Sequence, residues 1–264
     1  MSDQMYHIEI GGEQKQYAQG TTYLDIAKEY QKEYPDDIVL AVFNNKLREL
    51  YRKVRADGTL EFVTTAATNG RKAYRRSMLM LMEKAIFNLY KKSVRLRVMH
   101  MLGQGQYCEL EGDRPVCAAL LDEIRSEMLR LAQADIPIKK STIHTDKAVA
   151  MFTSYGMRDK AELFRFRRSS HVNLYDMDGY KDYFYGYMVP STGYLKYFDL
   201  MEYEAGFVLL YPNEDTKKAA QFQTLGKLYH TLMESAAWAK KMQISTIGEL
   251  NERIVQGRIQ EVIL

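Results

Sequence analysis

The segment "FYGYMVPSTGYLKYF", residues 184–198, decides how the second half of the chain is read. Pro190 fixes φ, Gly193 permits positive φ, and the hydroxyls of Ser191 and Thr192 bond back to the backbone, so Val189–Gly193 is a compact turn. Just ahead of it stand Phe184 and Met188, four residues apart, a spacing that elsewhere holds metal ligands. Tyr183, Tyr185 and Tyr187 alternate on one face of an extended chain, opposite Phe184 and Met188. The region is an enzyme site, the relic of one, or packing, and the surrounding sequence must discriminate.

Outward from this turn, residues 163–212 are rich in Tyr, Phe and Val broken by turn residues, which predicts several antiparallel strands. Before them, the spacing of Leu79, Met82, Ala85, Ile86 and Leu89 predicts a helix over 71–91, and similar patterns predict helices over 115–134 and 145–155. "VRLRVMHML" alternates as a strand and "GQGQYCELEG" continues it as a hairpin. Residues 1–66 read strand, strand, helix, strand, strand. "YHIEI" leads into a Gly11-Gly12 turn, Thr22 and Asp25 form a variant capping box, Pro35 ends the helix, and Asn44-Asn45 joins two further strands. "TTAATNG" at 64–70 is small and polar and predicts a linker. Helices over 215–242 and within 246–264 finish the chain. The fold class is therefore α+β, with a small β-grasp sheet at 1–66, a larger domain at 70–212 and a helical extension at 213–264.

Composition narrows the function classes. The chain has 264 residues, 46% apolar and 27% charged, enough for a sizeable core and unlike a disordered segment. A net charge of +3 gives little reason to expect a polyanion. The basic clusters Arg71, Lys72, Arg75, Arg76, then Lys139, Lys140, then Arg165, Arg167, Arg168 read first as solvated faces. Cys108 and Cys117 form no CxxC pair, which fits a reducing cytoplasm. No apolar run reaches the roughly 18–20 residues that span a bilayer, so no membrane partner is expected.

Ordered strings along the chain resemble two known modules. "GTTYLDIA" (20–27) and "AVFNNKLREL" (41–50) are similar to the TGS domain, the ubiquitin-like module of threonyl-tRNA synthetases and certain GTPases. "YRRSMLMLMEKAI" (74–86), "GQGQYCEL" (103–110), "ADIPIKKSTI" (134–143), "AVAMFTSYG" (148–156) and "VPSTGYLKYFDL" (189–200) resemble the second additional domain of threonyl- and alanyl-tRNA synthetases, which edits mischarged tRNA. The resemblance implies zinc ligands at positions 76, 80, 184 and 188, where this chain has Arg76, Met80, Phe184 and Met188. A guanidinium is permanently charged, a phenyl ring offers no lone pair, and a neutral thioether is a poor zinc donor. No metal and no catalytic residue is expected. Within the remnant cleft, Arg75 and Arg76 are the candidates to fork onto a phosphate, and Ser191 and Thr192 to bond a ligand hydroxyl. The plainer reading has both hydroxyls holding their own turn, and Met80, Met188 and Phe184 filling the space of the lost metal.

The pairing of these modules, with residues 225–264 after them, also resembles the front half of bacterial uridine kinase/phosphoribulokinase-like proteins, where a P-loop kinase domain follows. That resemblance implies an accessory or ligand-binding region, with nucleotide or RNA as ligand, a downstream kinase domain as partner, and ATP and Mg needed only there. The chain itself has no G-x-x-x-x-G-K-[ST]: before Gly226-Lys227, Gln221 replaces the first glycine, and Leu228 replaces Ser or Thr. The apolar ending Val262, Ile263, Leu264 fits a continuing polypeptide. The alternatives are a free-standing tRNA-editing-like deacylase, and an RNA- or ribosome-binding module led by the TGS domain.

Overall fold

The computed structural model describes residues 4–213 and 217–263 and has an α+β architecture. The first unit is a five-stranded mixed sheet with one helix on a face. Strands β1 (Met5–Ile10) and β2 (Glu13–Ala18) form the hairpin at Gly11-Gly12, both with positive φ. Helix α1 (Tyr23–Tyr30) starts on the capping box: Asp25 N–H donates to Thr22 Oγ1 at 3.1 Å and Thr22 N–H to Asp25 Oδ2 at 2.9 Å. Strands β3 (Ile38–Phe43) and β4 (Lys46–Glu49) turn through Asn44 and Asn45, at φ 47° and 59°. Strand β5 (Gly58–Thr64) lies centrally, parallel to β1 and antiparallel to β3, giving the order β2-β1-β5-β3-β4.

Strand β3 is buried on both faces. Ile38, Ala41 and Phe43 join the core beneath α1 with Ile8, Ile26 and Leu60. Val39 and Leu40 join a second core beneath helix α2 (Thr68–Tyr90). A bulge at Ile38/Leu40 breaks the regular alternation, so that the neighbours Val39 and Leu40 join the same core. Residues 64–70, expected as a linker, instead end β5 and begin α2 at Thr68. The reason is Gly70: fully packed, it lets the helix approach so closely that a Cβ there would collide with Thr64 O and crowd Val39. Within this tract residues 66–69 are exposed, and only Gly70 is buried in close contact.

Behind α2, an antiparallel sheet of β6 (Val94–Leu102), β7 (Gly105–Gly112), β11 (Asp199–Tyr203) and β12 (Gly206–Leu210) runs in the order β11-β12-β7-β6. A three-stranded sheet, β8 (Ile138–His144), β9 (His171–Met177) and β10 (Tyr180–Asp182), has the order β10-β9-β8. Helix α3 (Ala118–Gln133) packs with α2, burying Leu121, Ile124, Met128 and Leu131 against Met78, Leu81, Met82 and Ala85. Helix α4 spans Thr145–Tyr155, the bounds its pattern predicts, and ends at Gly156 in the left-handed region.

Three expectations differ from the structure. Helix α5 (Arg158–Arg165) falls partly where strands were expected; its buried contacts are only Ala161 and Phe164, too few to give a helical period. Residues 183–190 are irregular, not strands, because their backbone groups bond to side chains of α2, β8 and β9. Helix α6 begins at Gly226, eleven residues after the expected start at 215, which itself lies outside the described residues. Helices α7 (Ile247–Val255) and α8 (Gln260–Ile263) follow. The Ile263 side chain and Leu264 of the apolar ending also lie outside the described residues. Among the described residues no helix is long and apolar enough to cross a membrane.

The fold makes a prediction at Gly70. Alanine is normally the better residue inside a helix by about 1 kcal/mol. Gly70→Ala should nevertheless lower stability by about 1–3 kcal/mol through overpacking, measured by urea unfolding. A neutral or stabilising result contradicts close packing of α2 on β5 and β3.

Candidate functional site

The four positions that the resemblance assigns to lost ligands lie at the junction of α2 with residues 184–188. Arg76 donates through Nη1 to Tyr187 O at 3.1 Å, and Gly186, at φ 128°, leaves room for its guanidinium. Met80 is fully buried. Ser77 donates to Ala73 O at 2.8 Å, accepts Val189 N–H at 3.0 Å, and lies 3.3 Å from the Met188 sulfur. Phe184 is half-buried against the same core. Methionine and phenyl carbon fill the junction, and no polar atom of theirs needs a metal. Among the described residues, no group of three or more His, Cys, Asp or Glu is placed to hold a metal ion.

The hydroxyls of Ser191 and Thr192 are occupied not by their own turn but by residues at the end of α3 and just beyond it. Ser191 donates to Asp135 Oδ1, which also accepts Gly193 N–H at 3.1 Å. Thr192 Oγ1 donates to Leu131 O at 2.6 Å and accepts Ile136 N–H at 2.7 Å. Arg75 points elsewhere: its guanidinium lies 5.3 Å from the Tyr211 ring, beside a pocket of about 190 Å³. Arg75 and Arg76 therefore do not converge on one phosphate.

One turn along α2 from Met80 is a charge cluster whose members lie far apart in the sequence. Glu83, on α2, meets Lys160 from α5 and Asp182 from β10. Lys160 Nζ is 2.5 Å from Asp182 Oδ2 and 3.5 Å from Glu83 Oε1. Asp182 is fully buried, and its Oδ1 also accepts Tyr183 N–H at 2.6 Å. Burial, then the charge of Asp182, pushes the Glu83 carboxyl well above the usual carboxylate range. Burial works against the charge of Lys160, but Asp182 and then Glu83 more than offset it and hold the ammonium protonated. Two acids share one cation, and the Glu83 carboxyl is the one pushed up.

This cluster opens on a cavity of about 890 Å³ that runs from α2 and α5 around the edge strand β6 to α6 and α7. Phe87, Tyr155, Tyr180 and Phe184 supply aromatic wall, with the Tyr155 and Tyr180 rings stacked 6.1 Å apart. The lining residues Glu83 and His100 each hold one buried side-chain atom without a close, aligned hydrogen-bond partner, Glu83 Oε2 and His100 Nε2, although the Glu83 carboxyl also interacts with Asp182 and Tyr180. Burial also lowers the pKa of His100, which keeps its imidazole neutral near pH 7. Orphaned buried polar atoms are costly, and both residues that carry one here belong to the wall of the same cavity. The available signal for Glu83 was an adjacent pair of charges, Glu83-Lys84, within the otherwise apolar Leu79–Ile86 run; nothing local marked Lys160, Asp182 or His100.

No family model matches the chain. It is similar to threonine–tRNA ligase 1 of Bacillus subtilis (strain 168), 30% identical over 202 residues, covering 76% of this chain and 31% of that protein. Against the threonine–tRNA ligase of Teredinibacter turnerae it is 26% identical over 234 residues, 88% of this chain and 34% of the relative. Against that of Carboxydothermus hydrogenoformans it is 27% identical over 190 residues, 72% and 30%. The chain thus spans about a third of the length of the curated relatives it matches. The similarity supports a tRNA-synthetase editing-like domain, and gives the nucleoside-kinase part of the expectation no support.

The cluster has a pH signature. An acid whose pKa is raised by folding stabilises the fold while protonated, and that contribution is lost as pH rises from the ordinary carboxylate range through the raised value. Glu83→Gln, neutral at every pH, should therefore remove a decline in stability above about pH 4.3. Urea unfolding of both proteins from pH 5 to 9 checks this. Parallel profiles contradict a protonated Glu83.

Proposed function

We propose that this chain acts as a tRNA-synthetase editing-like module whose cavity receives the amino-acid-bearing end of a charged tRNA. The observation that carries the reading is one aromatic-walled cavity lined by Glu83 and His100, each of which holds a buried side-chain atom without a close hydrogen-bond partner. An aminoacyl-adenosine end offers what those walls lack: a base to stack, and hydroxyl, amino and carbonyl groups to bond. A protonated Glu83 donates to a carbonyl, and a neutral His100 accepts from a hydroxyl or amine. The first sheet, with α1 on one face and the order β2-β1-β5-β3-β4, supports a TGS-like β-grasp module beside it. Similarity to threonine–tRNA ligases over most of the chain supports the same assignment.

We further propose that recognition here proceeds without zinc, because Arg76, Met80, Phe184 and Met188 occupy the implied ligand positions. The association with a nucleoside kinase, with ATP and Mg acting in a separate domain, remains a proposal resting on the resemblance of residues 225–264. It differs in its consequence: the cavity would then prefer a nucleoside to an aminoacyl end.

Filter binding with tRNA charged with serine or threonine, against the uncharged tRNA, tests the reading. Charged tRNA should be retained at least about tenfold more tightly, the equivalent of one well-made hydrogen bond to the aminoacyl group. Glu83→Ala and His100→Ala should abolish that preference. Equal retention of both forms, or competition by free uridine but not by charged tRNA, contradicts it. Elemental analysis of the same preparation should find far less than one zinc per chain.

A further inference from the structure

The first sheet reaches the segment that walls the cavity. Glu49, the last residue of β4, is only 2% exposed and sits against β8 and β9. Its Oε2 accepts the Tyr51 hydroxyl at 3.0 Å. Its Oε1 accepts the hydroxyl of the fully buried Tyr175, from β9, and lies 3.2 Å from Lys140 Nζ, from β8. The Tyr175 hydroxyl also faces Gly186 O, and Lys140 Nζ stands 3.5 Å from that same carbonyl. A phenol has one proton and here meets two acceptors. The phenol is shared between the carboxylate and the carbonyl, and the ammonium of Lys140 stands beside both.

Neighbouring backbone groups are tied in the same way. Tyr187 O accepts from Arg76, and Val189 N–H donates to Ser77. The irregular segment is thus held at Gly186, Tyr187 and Val189, and the first of these points hangs on a carboxylate from the first sheet. Lys140 also covers the rings of Tyr175 and Tyr187, 4.8 and 5.3 Å from their centroids. Two residues before Gly186, Phe184 lines the cavity and lies beside Lys160.

We propose that Glu49 is a positioning residue for the cavity wall: through Tyr175 and Lys140 it fixes the main chain at Gly186, and with it Phe184, so the first sheet and the cavity are coupled. Whatever changes the seating of β4 changes the wall. This inference needs no assumption about the ligand, so it stands or falls separately from the proposed function.

Hydrogen exchange on the full chain tests it, read at the Val189 amide and its neighbours. Glu49→Gln keeps the shape and removes the charge. Tyr175→Phe keeps the ring and removes the shared hydroxyl. Tyr51→Phe removes the other bond to the same carboxylate without touching the segment. The expected result is exchange around 186–189 about tenfold faster in the first two variants, as for loss of one hydrogen bond, with β1 and α1 unchanged and Tyr51→Phe like wild type. Three results would overturn the proposal: no acceleration at 186–189, a uniform acceleration that includes β1 and α1, or the same effect from Tyr51→Phe.

Discussion

The structure depends on the close approach of α2 to β3. A strand buried on one face completes a small sheet; β3 is buried on both, so α2 must lie flat on the side away from α1. Gly70 makes that contact possible at the point where the chain leaves β5. Once α2 is fixed there, its other faces are assigned. Met78, Leu81, Met82 and Ala85 pack toward α3 and the larger sheet, Arg76 and Ser77 toward residues 186–189, and Glu83 toward the cavity. One helix therefore sets the geometry of both cores and of the candidate site.

Two buried charge groups lie along this frame, and both join elements distant in sequence. Glu49 with Lys140 and Tyr175 ties the first sheet to β8 and β9; Glu83 with Lys160 and Asp182 ties α2 to α5 and β10. Buried ion pairs add little net stability over apolar packing, but losing one partner leaves an uncompensated charge and typically costs about 3–5 kcal/mol. Their value is in specifying position. Exposed pairs such as Arg258 with Glu261 contribute far less and constrain only their own helix turn.

Legibility in the sequence followed the range of the interaction. The Thr22–Asp25 capping box, the Gly11-Gly12 and Asn44-Asn45 turns and the helix at 145–155 are encoded within a few residues, and all were readable. The turn at Ser191 and Thr192 was expected to use both hydroxyls for itself; they instead bond across to Asp135, Leu131 and Ile136, more than fifty residues earlier. The tract at 64–70 was misread because smallness looks the same whether it serves flexibility or close contact. Helix α5 was missed because it buries two side chains only. The charge clusters were invisible because Glu83, Lys160 and Asp182, like Glu49, Lys140 and Tyr175, meet only after the sheets form. Arg75 and Arg76, adjacent in sequence, part company on the helix surface.

Calorimetric titration with a hydrolysis-resistant seryl-adenosine amide, compared with adenosine alone, tests most directly whether the cavity reads an aminoacyl end. The account predicts binding of one conjugate per chain, with adenosine weaker by about tenfold or more, because only the conjugate brings partners for Glu83 Oε2 and His100 Nε2. Equal affinity for the two compounds, or no heat from either, would contradict it.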